Sequence, residues 1–395
     1  MSVTDPASLA TITGIEAVVV NVSPKTNWTF IAVRDEDGAE GWGECSLNGW
    51  EELLVAQAAR FARLALVPAR KATGDSLRYL PHSPGGLVAH AIRSAVEQAM
   101  VDLGAQRAGL GIGASLSQIS RRSVPAYANI NRGSVERTPA GFAAAARRAV
   151  AAGYRAVKLA PFDGVIAEDA ATTPIDARIR TGLDRVFAVR DALGPDATVL
   201  VDCHWRFDEP RAANLIRDIA PAAPYWMECM ISEHPSCFPA IARLTELAHE
   251  RGIKTAGGER ISGADQAEAM CGAGLYDVLM PDIKYAGGYR GMLEIADVCA
   301  RHGVAFSPHN PTGPIAHLAS IHLCAASPTL LWLEHQWDES PLFDQLTGGV
   351  IAPLVDGAFI VPVSSGLGAR IDRELAVTHP GQTLQEGANL DERLG

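Results

Sequence analysis

The sequence predicts a (β/α)8 barrel of the TIM type with an N-terminal α+β capping domain. Three observations predict it. Eight short apolar runs follow residue 124, and most start 24–32 residues apart. Amphipathic, helix-like stretches lie between them, several closed by a glycine such as Gly153, Gly252 or Gly303. The first 123 residues follow a different pattern, with a few strands first and helices after.

In chain order, Ile15–Val22 and Thr29–Arg34 read as strands. Asp35–Gly43 holds an Asp-Gly turn and a short returning strand. Helical stretches are expected from about Gly49 to Leu66 and from Gly86 to Arg107. The barrel runs are Val124–Asn129, Ala156–Leu159, Thr198–Asp202, Tyr225–Glu228, Lys254–Gly257, Val278–Met280, Ala305–Pro308 and Leu331–Glu334. Helical segments between them include Pro139–Ala152, Pro239–Arg251, Ala264–Gly272, Tyr289–His302 and Pro314–Ala325. A doubly wound sheet is the alternative arrangement, but no G-x-G-x-x-G follows a strand. The expected division is a cap at 1–123, a barrel at 124–349 and a C-terminal segment at 350–395 that returns to the cap, its last residues loosely held.

Composition narrows the function. The chain has 395 residues, 48% of them apolar and 20% charged, which is ordinary for a globular enzyme. Its 34 basic against 45 acidic side chains give a net charge of −11, the wrong sign for nucleic-acid binding. No apolar run approaches the roughly 20 residues of a membrane span. The N-terminus has no basic region or signal-peptide core. Seven cysteines without a C-x-x-C make neither a disulfide framework nor a structural zinc site. Buried reduced thiols in a cytoplasmic protein are expected.

Barrel enzymes place their chemistry at the C-terminal ends of strands. Seven consecutive runs end here in an ionisable group. Run two offers Lys158, and run three ends in Asp202 with His204 two residues on. Glu228, Glu259, Asp282, His309 and Glu334 follow in turn. Single acids at strand ends are commonplace, but seven in series converge on one mouth. Asp202, Glu228 and Glu259 on adjacent strands make an oxygen donor set for one Mg2+ ion. Unpaired, those three carboxylates would repel one another, and a cation relieves this. Asp282 and His309 sit on neighbouring strands, where an acid can fix an imidazole's tautomer and raise its basicity.

The same residues carry a family resemblance. EGWGE (40–44), VDCHWRF (201–207), YWMEC (225–229), GGER (257–260), MPDIKYAGG (280–288), SPHNPTGPIA (307–316) and WLEHQ (332–336) resemble the enolase superfamily, in its mandelate racemase-like subgroup. The order and spacing matter more than any one motif: Asp202 to Glu228 is 26 residues, Glu259 to Asp282 is 23, Asp282 to His309 is 27, and His309 to Glu334 is 25. The resemblance implies removal of a proton alpha to a carboxylate, with one Mg2+ per subunit stabilising the enediolate. It implies His309 as base with Asp282 behind it. Lys158 and Arg260 would supply positive charge, and a protonated Glu334 would donate to the enediolate.

Two departures refine the reading. The family's racemases usually carry K-x-K after the second strand, and here the stretch is Lys158-Leu159-Ala160. Instead Asp202-x-His204 resembles the superfamily's acid-sugar dehydratases, especially those acting on galactonate, where the histidine is a general acid on the departing hydroxyl. If the strand persists to His204, its period of two puts His204 on Asp202's face. The 31-residue gap from Glu228 to Glu259 implies an extra turn near Glu233–Pro239.

The sequence reading is therefore a Mg2+-dependent acid-sugar dehydratase giving a 2-keto-3-deoxy acid. A racemase, epimerase or cycloisomerase is the alternative, and a non-catalytic sugar-acid-binding homologue comes third. Specificity is expected from cap loops carrying Asn27, Trp28, Asn48 and Trp50. The expected partner is a small-molecule acid sugar, with neither nucleic acid nor membrane involved. The resemblance also implies a homo-oligomer.

Overall fold

The computed structural model describes residues 11–66, 86–116, 121–166, 174–351 and 353–384. The polar end of the chain beyond 384, expected to be loosely held, lies outside them.

The cap begins with an antiparallel sheet of β1 (Ile12–Ser23), β2 (Thr26–Asp35) and β3 (Glu40–Glu44), in that order. Helices α1 (Glu51–Ala65), α2 (Gly86–Ala108) and α3 (Ile112–Ser115) follow. The EGWGE run shows why α2 lies directly on β3. A Cβ at Gly41 would come within 2.0 Å of the Ala99 carbonyl, and one at Gly43 within 2.0 Å of the Ala95 carbonyl. Only glycine allows so close an approach. By the strand's period of two, Glu40, Trp42 and Glu44 take the other face.

The barrel strands are β4 (Ser123–Asn129), β5 (Ala156–Leu159), β6 (Thr198–Asp202), β7 (Trp226–Glu228), β8 (Lys254–Gly257), β9 (Val278–Leu279), β10 (Ala305–Phe306) and β11 (Leu333–Gln336). Neighbours pair in parallel from β4 round to β10. β11 pairs with β4, setting Gln336 opposite Asn129. A parallel bridge from Phe306 to Leu330 closes the last seam. The outer ring holds α4 (Pro139–Ala151), α5 (Pro174–Leu193), α6 (Glu209–Ile219), α7 (Phe238–His249), α8 (Ala264–Gly272), α9 (Gly288–His302) and α10 (Pro314–Ala326).

Strand alternation builds the interior in layers. Val157, Val201 and Met227 face outward into the helix-packed core. Their neighbours Ala156, Leu200 and Trp226 face inward and, with Tyr127, Val278 and Met280, plug the lower barrel. One step up each strand, Lys158, Asp202, Glu228 and Glu334 point inward too. That is why a polar layer sits directly on an apolar plug.

Two cap glutamates dock the cap by serving helix N-termini of the barrel. Glu44, fully buried, accepts from Gly313 N at 2.8 Å and Ala316 N at 2.9 Å at the start of α10. Thr312 and Ser46 hydroxyls add bonds of 2.5 and 2.7 Å to the same carboxylate. Glu97 accepts from Tyr289 N at 2.8 Å in the first turn of α9. The C-terminal segment serves the barrel first, where β12 (Ala358–Ile360) runs antiparallel to β4. It then reaches the cap: Arg373 pairs with Glu16 and Glu40, and Pro380 bridges to Val20. All seven cysteines are free thiols, Cys237 half-buried and the others buried. Among the described residues no helix is long and apolar enough to cross a membrane.

Candidate active site

A chamber lies between the strand ends and the cap. Trp28, Ser46 and Asn48 line it from the cap. Asn129, Asn131, Arg132, Asp202, His204, Trp205, Glu259, Arg260, Lys284, His309 and Gln336 line it from the barrel.

The acids occupy one arc. Asp202 and Glu228 are paired neighbours on β6 and β7, and Glu259 follows β8 two residues after its end. All three are buried. Each is engaged: Asp202 Oδ2 lies 2.6 Å from His204 Nε2, and Glu228 lies 2.7 Å from Lys158 Nζ and 2.8 Å from Trp226 Nε1. Glu259 stands 3.5 Å from His309 Nε2. Among the described residues no three His, Cys, Asp or Glu side chains converge closely enough to hold an ion. The donor chemistry nevertheless suits a hard dication: three carboxylates at or just past the ends of consecutive strands.

The charge balance points the same way. Lys158 sits between Glu228 and Glu334, 2.7 and 2.8 Å away, with all three buried. One ammonium cannot neutralise two carboxylates. Glu334 is held below the usual carboxylate range: burial opposes this, but Lys158, His309 and the Asn310 amide outweigh it. Burial, reinforced by the Asp202 and Glu334 charges, pushes Glu228 up to about 8 despite Lys158. A cation beside Asp202 and Glu228 would favour the Glu228 carboxylate.

Two histidines enter from opposite sides. In the ring of eight, β6 and β10 are four strands apart. His309, after β10, has Nδ1 2.8 Å from Asp282 Oδ2, which fixes the proton on Nδ1 and leaves Nε2 as the basic atom. Burial works against the His309 cation, but Glu259, Asp282 and Glu334 outweigh it and raise its pKa. His204 follows the end of β6. Burial disfavours its cation too, yet Asp202 holds its pKa up at about 9 and is itself held at about 2. A metal ion on Asp202 would compete with this imidazolium.

The structure corrects several expectations. The strand does not persist to His204: β6 ends at Asp202, and His204 and Trp205 take left-handed φ values of 48° and 55°. A strained turn, not the pleat, brings the imidazole back to Asp202. Glu334 is not raised as a proton donor would need: Lys158, 2.8 Å away, helps hold it below the usual carboxylate range. Lys158 lies beneath the chamber, with its charge spent on two carboxylates. Asn27 is buried away from the chamber, its amide tied to Asn21 and the Gln382 carbonyl. Trp50 precedes α1, is 39% exposed, and does not line the chamber. Trp28, Asn48 and Arg260 do line it.

Other lining residues escaped the sequence reading. Lys284, two after Asp282 and buried, pairs with the Asp282 oxygen that His309 uses, at 3.0 Å. Trp205 lies 4.3 Å beneath the Arg260 guanidinium. Asn129 ends β4 and donates to Glu334 at 2.7 Å. Gln336 is two beyond Glu334 on β11, so the strand's period of two puts both on the inward face. The extra residues after β7 fold back so that Glu233 accepts from Gly258 N at 2.7 Å, directly before Glu259. Burial pushes Glu233 up to about 7.

Comparison with known proteins agrees with this architecture. The Enolase C-terminal domain-like family model matches residues 141–375. The D-gluconate dehydratase of Thermoproteus tenax is 30% identical over 286 residues, which is 71% of this chain but only 54% of that protein's length. The D-galactonate dehydratase of Xanthomonas euvesicatoria pv. vesicatoria (strain 85-10) is 24% identical across 88% of this chain and 90% of its own. A mandelate racemase/muconate lactonizing enzyme from Jannaschia sp. CCS1 superposes with a TM-score of 0.82 over 94% of this chain and 98% of its own, at 23% identity. At that identity the likeness speaks for the fold alone. The match over more than half the sequence settles the family: the chain belongs to the Enolase C-terminal domain-like family.

Proposed function

We propose that this protein is an acid-sugar dehydratase, a lyase that removes the proton alpha to a carboxylate and expels the beta-hydroxyl to give a 2-keto-3-deoxy acid. The carrying observation is the pair of histidines facing one chamber from β6 and β10, one of them backed by Asp282. Asp202, Glu228 and Glu259 would hold Mg2+. When bound, it would supply a Lewis acid for the substrate carboxylate and stabilise charge building there. His309 takes the alpha proton at Nε2 while Asp282 holds its other nitrogen. His204 gives a proton to the departing hydroxyl from the opposite side. Arg260, stacked on Trp205, anchors the anionic end. The cap covers the chamber and keeps water from the intermediate.

The names of the relatives and the missing K-x-K support dehydration. The opposed histidines also suit inversion at the alpha carbon, so racemisation or epimerisation is the second reading. A screen of aldonates and aldarates with Mg2+ in deuterated water separates them. Dehydration yields a 2-keto product. Deuterated, inverted substrate without 2-keto product would overturn the proposal in favour of the second reading.

A further inference from the structure

Two residues of the chamber wall each carry a buried polar atom with no hydrogen-bond partner, and the two atoms are of opposite kinds. The Trp28 indole N–H is a donor, and Gln336 Oε1 is an acceptor. Among the described residues that line the chamber, these two carry a buried side-chain polar atom so left. Both side chains are almost wholly buried, Trp28 at 1% and Gln336 at 3% exposed. Both also border the same neighbouring groove, past Tyr154 and Phe343, so together they form one stretch of wall. The Gln336 amide turns Nε2 toward the Asn129 carbonyl, 3.4 Å away, which leaves Oε1 as the unpartnered atom. Burying a donor or acceptor without a partner is costly, so such a pair in a ligand chamber signals what the ligand must bring.

We infer that Trp28 and Gln336 form a subsite that reads one hydroxyl group of the substrate. A hydroxyl accepts from the indole N–H and donates to the amide oxygen at once. A carboxylate would satisfy Trp28 and leave Gln336 orphaned, an ammonium would do the reverse, and a methylene would satisfy neither. The position says which hydroxyl. β11, which ends at Gln336, stands four strands from β7 in the ring, across the mouth from the acid arc. With the carboxylate end held at the acids, the hydroxyl belongs to the far part of the chain, beyond the two reacting carbons. The substrate class is thus a polyhydroxylated acid rather than a short or aromatic one. This inference rests on the proposed orientation of an acid sugar in the chamber and adds two specificity-determining residues to it.

The test pairs substrate and enzyme deletions on the Mg2+-loaded protein. The probes are D-gluconate, D-galactonate and their 4-, 5- and 6-deoxy derivatives. For the wild type, one deoxy position should lower kcat/KM by about 10- to 100-fold, as expected for losing hydrogen bonds at a site that cannot re-solvate. Trp28→Phe and Gln336→Met should each lower kcat/KM for the parent acid while leaving that deoxy acid nearly unchanged, so that the preference collapses. Melting curves establish that each variant is folded, and either variant alone suffices. Equal losses on parent and deoxy acids would make the two residues mere wall. Equal turnover of every deoxy acid by the wild type would mean that no substrate hydroxyl meets the pair. Both results overturn the inference. If no acid is dehydrated, the dehydratase reading falls by itself, and calorimetric binding of the same acids decides the subsite. A Kd indifferent to every deoxy position overturns it, and a Kd weakened at one position, with the preference lost in the variants, upholds it.

Discussion

The two sides of the chamber are built from different chemistry. The arc from β6 to β8 presents Asp202 and Glu259, with Glu228 fully buried beside Asp202, each pressed against a cationic or hydrogen-bonding neighbour. The arc at β11 and β4 presents Asn129, Asn131 and Gln336, with Trp28 and Asn48 above them from the cap. Its one cation, Arg132, is paired with Glu339 at 3.4 Å. Charged groups in a buried mouth interact strongly with charge that develops during reaction, whereas neutral amides sort ligands by hydrogen-bond pattern at little electrostatic cost. On the proposed function, chemistry falls to one arc and recognition to the other.

The largest effect should come from the acid arc. Exhaustive chelation is expected to take turnover to background, and Mg2+ to restore it, as followed by 2-keto product. Full activity in rigorously metal-free protein would break the comparison, because the acids would then have no shared task. Next comes His309→Asn, with a loss of about 10²- to 10⁴-fold in both product formation and alpha-proton exchange. His204→Asn should slow dehydration by the lower part of that range while exchange in deuterated water persists. Because His204 touches Asp202, metal affinity must be measured alongside. If exchange and dehydration fall together in the His204 variant with metal affinity intact, the division of labour between the histidines is wrong.

How much of this was legible in the sequence follows from where periodicity held. The barrel strands are regular, so the ends at Asp202 and Glu228 were readable to the residue. β11 runs from Leu333 to Gln336 rather than stopping at Glu334, and those two extra positions carry Gln336 into the chamber. At β6 the strand ends at Asp202, and the left-handed turn at His204 that follows has no sequence signal of its own. The lowered pKa of Glu334 depends first on Lys158, 176 positions earlier in the chain, and only folding shows that they meet. Asn27 and Trp28 are adjacent on β2 and face opposite ways, so composition could not separate them while the strand's alternation could.

A smaller effect tests how the cap is held over both arcs. Glu44→Gln keeps the shape but turns an N–H2 group toward backbone and hydroxyl donors that now meet carboxylate oxygens. The expected cost is about 2 kcal/mol of stability in urea unfolding, the scale of an unsatisfied buried donor. An unchanged midpoint would mean that the cap docks without this helix-capping contact.

The smallest effect concerns the other tryptophan of the cap. Trp50 and Trp28 were equal candidates in the sequence, and the structure separates them by burial, 39% against 1% exposed. Trp50 contributes backbone bonds to the entry of α1, accepting from Leu54 N at 2.9 Å and donating to Leu47 O at 3.1 Å, and alanine can make both. Trp50→Ala should therefore leave kcat/KM within about twofold and stability within about 0.5 kcal/mol, as for other exposed positions. Metal affinity should not move. Trp28→Phe is the matched control on the same domain, with a loss that depends on the substrate's hydroxyls. A tenfold rise in KM for Trp50→Ala would show that its ring folds over the chamber when substrate binds. The recognition arc would then extend past the barrel rim onto α1, and the contrast between the two arcs would have to be redrawn to include the cap's outer edge.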